Sequence, residues 1–157
     1  MLVGKAKLLG AGMLVIFVLI FINLMTIFPL YPKNNSQITD KKPRFLWTGL
    51  QGCYVLYIDD NPEFRTPKRI ELHSNSFKPE KEMDFGTYYW KVRSGPLVSK
   101  VSKFEIVSSV ILSRNKTSVK NEGNVNVTLH RLTGAIVLGI GKSADVGEYE
   151  NVTAEQS

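Results

Sequence analysis

The side chains best suited to chemistry are sparse and far apart in this chain of 157 residues. His73 and His130 are its only histidines and Cys53 its only cysteine. No cysteine or second histidine stands near either imidazole at a metal-ligand spacing. A serine, a histidine and an aspartate can be chosen on paper, but no nucleophile elbow or other local signature holds them together. Asp59-Asp60-Asn61-Pro62 offers adjacent carboxylates, yet a full calcium loop is absent and turn formation accounts for the pattern. Gly139-Ile140-Gly141-Lys142-Ser143 ends like a phosphate loop. That loop needs a glycine five positions before Gly141, where Ile136 stands, and no helix start follows Ser143. No catalytic residue, cofactor site or metal site is expected, and the chain is not expected to be an enzyme. A lone cysteine also forbids an intrachain disulfide and hence a disulfide-stapled scaffold.

One constellation remains. In Gly86-Thr87-Tyr88-Tyr89-Trp90-Lys91-Val92-Arg93, apolar and polar residues alternate. A strand sends successive side chains to opposite faces, so Tyr88, Trp90 and Val92 point to a core and Tyr89, Lys91 and Arg93 point away. Tyr54, Leu56 and Ile58 alternate in the same way with Val55, Tyr57 and Asp59. If the two strands are neighbours, Tyr57 joins Tyr89, Lys91 and Arg93 on one outer face. Two aromatic rings beside two cations suit a sugar ring or a partner protein. The alternative is cross-strand packing on a solvated sheet.

The elements that must position this face are short and extended. Phe45-Leu46-Trp47 begins strand-like sequence, and Gly49 and Gly52 bracket a turn. Arg69-Ile70-Glu71-Leu72-His73 is a short strand, Asn75 to Pro79 a loop-to-strand passage, and Ser102 to Val107 closes the set. Further on, Val125, Val127 and Leu129 alternate with Asn126, Thr128 and His130. Ala135 to Ile140 is an apolar run, and residues 144–153 form the last extended stretch. The expected class is all-β, with two packed sheets around the large apolar residues.

Phe45-x-Trp47, Tyr54-x-Leu56-x-Ile58, Asn61-Pro62-x-Phe64, Gly86-Thr87-Tyr88-Tyr89-Trp90-x-Val92 and Ser102-x-Phe104-x-Ile106 occur in that order. Over residues 40–108 this resembles the fibronectin type III family, most of all its microbial surface-protein branch. The resemblance implies a β-sandwich that binds or spaces and has no activity of its own. It implies that Tyr88 is a corner tyrosine tied to its preceding loop, and that Trp47 and Trp90 are core aromatics. The front departs from the family, because little sequence is left for a first strand. The arrangement after residue 108, Asn-x-Gly-Asn-Val-x-Val-x-Leu followed by an apolar run and Gly-Lys-Ser-x-Asp-Val, resembles small immunoglobulin-like modules of microbial surface proteins.

The N-terminal part is of another kind. Residues 8–30 carry no charged side chain. At about 1.5 Å rise per residue they can cross a hydrocarbon core of about 30 Å as a helix. Lys5 and Lys7 precede them, and Phe28-Pro29-Leu30-Tyr31-Pro32 is a poor cleavage context, so an uncleaved signal anchor is expected. Lys33, Lys41, Lys42 and Arg44 argue for the opposite orientation. Four glycosylation sequons, at Asn34, Asn115, Asn126 and Asn151, all lie after the anchor and place that side outside. The formal charge of +6 comes from scattered basic residues, without a nucleic-acid motif.

The expected order is then a tail (1–7), a transmembrane helix (8–30), a polar tether (31–42), a fibronectin type III-like sandwich (43–108) and a small immunoglobulin-like unit (109–157). The expected role is a structural or interaction module, for adhesion or scaffolding, on a microbial and archaeal cell surface. It would be held in the lipid bilayer through residues 8–30, with a protein or glycan partner outside and no nucleic acid. The alternative role is an accessory subunit of an envelope assembly or filament, since pilins and archaellum stator proteins share the plan of an apolar helix followed by a β-sandwich. Lys7-Leu8-Leu9-Gly10 lacks the processing site a pilin needs.

Overall fold

A computed structural model describes residues 13, 16, 26–49, 52–147 and 151–157. Its strands are β1 (Pro29–Tyr31), β2 (Ser36–Ile38), β3 (Phe45–Trp47), β4 (Tyr54–Asp59), β5 (Lys68–Leu72), β6 (Ser76–Phe77), β7 (Gly86–Ser94) and β8 (Leu97–Val98). They continue as β9 (Ser102–Ile106), β10 (Leu112–Arg114), β11 (Ser118–Asn121), β12 (Val127–Arg131), β13 (Gly134–Leu138), β14 (Ser143–Asp145) and β15 (Thr153–Gln156). Met13 and Ile16 are helical, and the all-β class expected from alternation holds over residues 26–49, 52–147 and 151–157.

The chain divides into two compact units. The first comprises the described parts of Met1–Ser36 together with Lys42–Glu105; the second comprises Gln37–Lys41 and Ile106–Ser157. In the first unit, one sheet runs β1-β3-β6 and the other β9-β7-β4-β5, with β8 paired to β7. This is the arrangement of a β-sandwich. Its core forms where the inward rows of β3, β4, β7 and β9 meet. Phe45, Leu56, Trp90, Val92 and Phe104 are fully buried, and Trp47 and Tyr54 nearly so. The Phe45 ring crosses from its sheet to meet Trp90 edge-on at 5.3 Å and Phe104 at 5.8 Å. Trp47 meets Tyr54 edge-on at 5.7 Å. These edge-to-face contacts suit the ring quadrupoles and add to the area buried.

Tyr88 departs from its two strand-mates. It is half-buried, stacks on Phe104 at 5.6 Å and donates its hydroxyl hydrogen bond to the Asp84 carbonyl at 3.1 Å. This is the corner geometry that the resemblance implied: a tyrosine at the start of a strand, bonded to backbone a few residues upstream.

The front of the sandwich corrects the sequence reading. The anchor expected over 8–30 and the tether over 31–42 leave little sequence for a first strand, yet Pro29–Tyr31 is β1, paired antiparallel to β3, and Ser36–Ile38 is β2. Ile27 is buried, and the Phe28 and Thr48 backbones are bound together, with Thr48 N–H donating to Phe28 O at 2.9 Å. Residues 29–31 thus pair as a strand rather than end a membrane helix; of the apolar side chains at 27–31 only Ile27 is buried, while Phe28 and Leu30 are exposed. Hydropathy alone does not mark where an apolar stretch stops being helical and becomes a strand. The rest of the expected span, except Met13 and Ile16, lies outside the described residues. Among the described residues no helix is long and apolar enough to cross a membrane.

The second unit holds two three-stranded sheets, β10-β11-β14 and β13-β12-β15. Val119, Val127, Leu129, Leu138 and Val146 form its core, with Leu112, Ile136, Ala144 and Val152 packed around them. The single last stretch expected over 144–153 is instead two strands, β14 and β15, in different sheets. Two asparagines hold the loops. Asn121 is fully buried, and its Nδ2 donates to Val125 O at 2.8 Å and Leu138 O at 3.0 Å while its Oδ1 accepts from Gly123 N–H. Asn124 Nδ2 donates to Thr39 O and Val107 O, and its Oδ1 accepts from Ser109 N–H. Gly123 is required here, since a Cβ would strike the Ser109 carbonyl oxygen and come within 2.9 Å of Ile111 N.

Candidate functional site

The β4–β7 register decides which outward residues meet. Tyr57 lies opposite Lys91, Val55 opposite Arg93 and Asp59 opposite Tyr89. On the other side of β4, Tyr57 faces Arg69 and Val55 faces Glu71. All four residues expected on this surface therefore share one face of one sheet. Tyr57 and Lys91 are direct neighbours, and Tyr89 is diagonal to Tyr57, at the spacing of about 7–8 Å usual between such positions.

The face differs from a pair of tyrosines flanked by two free cations. Lys91 Nζ stands 3.9 Å from the centre of the Phe64 ring and 5.8 Å from that of Tyr57, so its charge lies between two aromatic faces. Arg93 Nε donates to the Gly95 carbonyl at 2.9 Å, which turns its guanidinium toward the β7–β8 turn. Arg69, on the strand beyond Tyr57, is ion-paired with Glu71 at 2.9 Å. Phe64 and Arg69 were missing from the sequence reading of this surface. Arg69 was legible from alternation in β5. Phe64 was not, since a loop side chain has no period.

The loop that carries Phe64 is built on Asp59. This residue is only 6% exposed. Its Oδ1 accepts the Asn61 N–H at 3.2 Å and its Oδ2 the Thr66 N–H at 3.1 Å. Asn61 Oδ1 then accepts the Glu63 N–H at 2.8 Å, and Asn61 O the Phe64 N–H at 3.0 Å. The turn closes with Phe64 at φ 52°, a left-handed conformation uncommon for a bulky residue. Burial works to raise the Asp59 pKa, but the N–H donors of Asn61 and Thr66 outweigh it and hold the carboxyl below its ordinary value. The carboxylate is thus spent on the turn.

A cavity of about 340 Å³ opens at the same end of the first unit, lined by Asp60, Lys68, Phe77, Lys81, Asp84 and Tyr88 among others. Its charges are of both signs. Burial, then the nearby Asp84 and Asp60 carboxylates, raise the Tyr88 pKa, so the phenol stays protonated as the hydrogen-bond donor to Asp84.

The remaining candidates are scattered. Asn34, Asn115, Asn126 and Asn151 are all exposed. Asn34 Oδ1 accepts the Lys103 N–H at 2.9 Å, and Asn115 Oδ1 accepts the N–H groups of Thr117 and Ser118. Cys53 is exposed, with Sγ 3.5 Å from His73 Nδ1. His130 Nε2 lies 3.1 Å from Glu155 Oε1. Among the described residues no group of three or more His, Cys, Asp or Glu side chains is placed to hold a metal ion.

No known family profile matches the chain. No curated protein matches it either. Among solved structures it is similar to a crystal structure of the chicken CNTN1 FN1-FN3 domains, at 9% identity and a TM-score of 0.35, over 84% of this chain and 57% of that one. The chain therefore spans 57% of the length of the structure it matches.

Proposed function

We propose that the chain is a non-enzymatic interaction module, anchored in the membrane through its N-terminal apolar stretch, with its β units on the outer side of a microbial cell surface. The observation that carries this reading is the outer face of β5-β4-β7, which Tyr57, Tyr89, Lys91 and Arg93 share and to which Phe64 adds a third ring beside Lys91, with Arg93 turned toward the β7–β8 turn. Aromatic rings and arginine are enriched where protein surfaces bind. The cations favour an acidic partner, protein or glycan. The four exposed asparagines in sequons support an extracytoplasmic location, because glycosylation needs the translocated side.

Two measurements on the full chain in membranes test the reading. With tags at both ends, protease added to intact cells removes the C-terminal tag and leaves the N-terminal one membrane-bound. Protection of the C-terminal tag until lysis overturns the location. Chemical cross-linking in the same membranes yields an adduct that Tyr57→Ala with Tyr89→Ala abolishes. An unchanged adduct pattern overturns the role of the face.

A further inference from the structure

We propose that the cavity lined by Asp60, Phe77, Asp84 and Tyr88 is a binding site for a small organic cation, an ammonium group carried on an apolar body. This inference concerns other residues than the Tyr57 face and does not depend on it. The cavity lies within the first unit, walled by residues from the end of β4, the start of β5 and the segment between β6 and β7. Its volume of about 340 Å³ is at the lower end of the range of about 300–1,000 Å³ usual for ligand pockets, so a small ligand fits. Ile58, Phe77, Pro79 and Met83 give it an apolar wall, with Ile58 and Pro79 buried and the other two half-buried. Such a wall takes the body of a ligand out of water.

The sign of the field selects a cation. The Asp84 and Asp60 carboxylates both act to raise the Tyr88 pKa, so the potential at the phenol is negative although Lys68 and Lys81 also line the cavity. In a chain of formal charge +6 this concavity has the opposite sign to the molecule as a whole. Lys68 and Lys81 are exposed, and their flexible four-carbon stems let the ammonium groups move out into water as a cation enters. The aspartates, on short stems, stay. Phe77 and Tyr88 also bring two rings to the wall, and a ring face attracts an ammonium ion. A metal ion fits less well. Among the described residues no group of three or more His, Cys, Asp or Glu side chains is placed to hold one, and an apolar wall supplies no oxygen ligands.

Titration of the full chain in nonionic detergent micelles with benzyltrimethylammonium tests the proposal, read by methionine-methyl NMR. Met83 lines the cavity, so its methyl resonance reports entry directly. It is expected to shift and saturate, with a Kd of about 1 mM or tighter. Asp60→Asn with Asp84→Asn is expected to weaken binding at least about tenfold. Asparagine keeps the Asp84 backbone carbonyl that holds the Tyr88 hydroxyl, so the corner survives the change. A comparison on the wild type needs no variant: phenylacetate, an anion of similar size, and benzyl alcohol, which is neutral, should leave the Met83 methyl in place at the same concentrations. A Met83 signal that does not shift and saturate by about 10 mM overturns the proposal. So does phenylacetate or benzyl alcohol binding as tightly as the cation, or a double variant that binds it as the wild type does.

Discussion

Lys91 Nζ lies 3.9 Å from the centre of the Phe64 ring, although the two residues belong to a strand and to a turn at φ 52°. The contact joins the outer face of β7 to the loop after β4. A cation over an aromatic face contributes about 0.5–1 kcal/mol when exposed and about 2 when desolvated. A double-mutant cycle with Lys91→Met and Phe64→Leu should therefore show a favourable coupling of about 1 kcal/mol. Both tryptophans of the chain, Trp47 and Trp90, lie in the first unit, so urea unfolding followed by their fluorescence reads it directly. A coupling near zero would mean that the ring and the cation are merely adjacent.

Asp59 ties that same loop down, and its protonation should release it. Its carboxyl is held below the ordinary value by the Asn61 and Thr66 N–H donors, against the opposing effect of burial. A depressed acid contributes stability above its unfolded pKa, near 4, and loses it as pH falls through the folded value. Tryptophan-monitored stability of the first unit should accordingly decline below about pH 4. Asp59→Asn should be less stable at neutral pH and flatter through the acid range. An equal acid slope in the variant would place the titrating group elsewhere.

Tyr88 makes the opposite prediction. Burial, followed by Asp84 and Asp60, raises its pKa. A raised pKa means that the phenol's contribution is complete below its unfolded value, near 10, and is lost as pH climbs through the folded one. Tyr88→Phe keeps the ring on Phe104 but loses the bond to Asp84, at a cost of about 1 kcal/mol at neutral pH. It should also remove part of the alkaline destabilisation. A Phe variant as stable as wild type would show the corner bond to be dispensable.

In the second unit, Asn121→Ala should be severe. It leaves the Val125 and Leu138 carbonyls and the Gly123 N–H without this partner, each unsatisfied buried group costing about 1–3 kcal/mol. Gly123→Ala should act in the same region by collision with the Ser109 carbonyl. Amide exchange is the measurement, with opening free energies at Val127 and Leu129 falling by about 3 kcal/mol or more for Asn121→Ala. Wild-type protection at those amides would contradict the role assigned to Asn121.

By itself, the sequence determined the strands whose two faces see different solvents. β4, β7, β9 and β12 follow from alternation, a local property written within a few residues. Their inward rows, Leu56, Trp90, Val92 and Phe104, are the buried core, and their outward rows place Tyr57, Tyr89, Lys91 and Arg93 on one face once β4 and β7 are neighbours. What only the tertiary structure decided depends on partners distant in sequence. Residues 29–31 have the same hydropathy in a membrane helix as in a strand, and only the pairing of Pro29 with Trp47 makes them β1. β11 offers Val119 and a polar Asn121 as its buried residues, a pattern that reads as a core strand only when Leu138, 17 residues away, accepts the amide. Phe64 reaches Lys91 because Asp59 closes a turn. The physical reason is common to all three. Periodicity records which side of a strand avoids water, whereas the identity of the covering group is set by contacts that no short window of sequence contains.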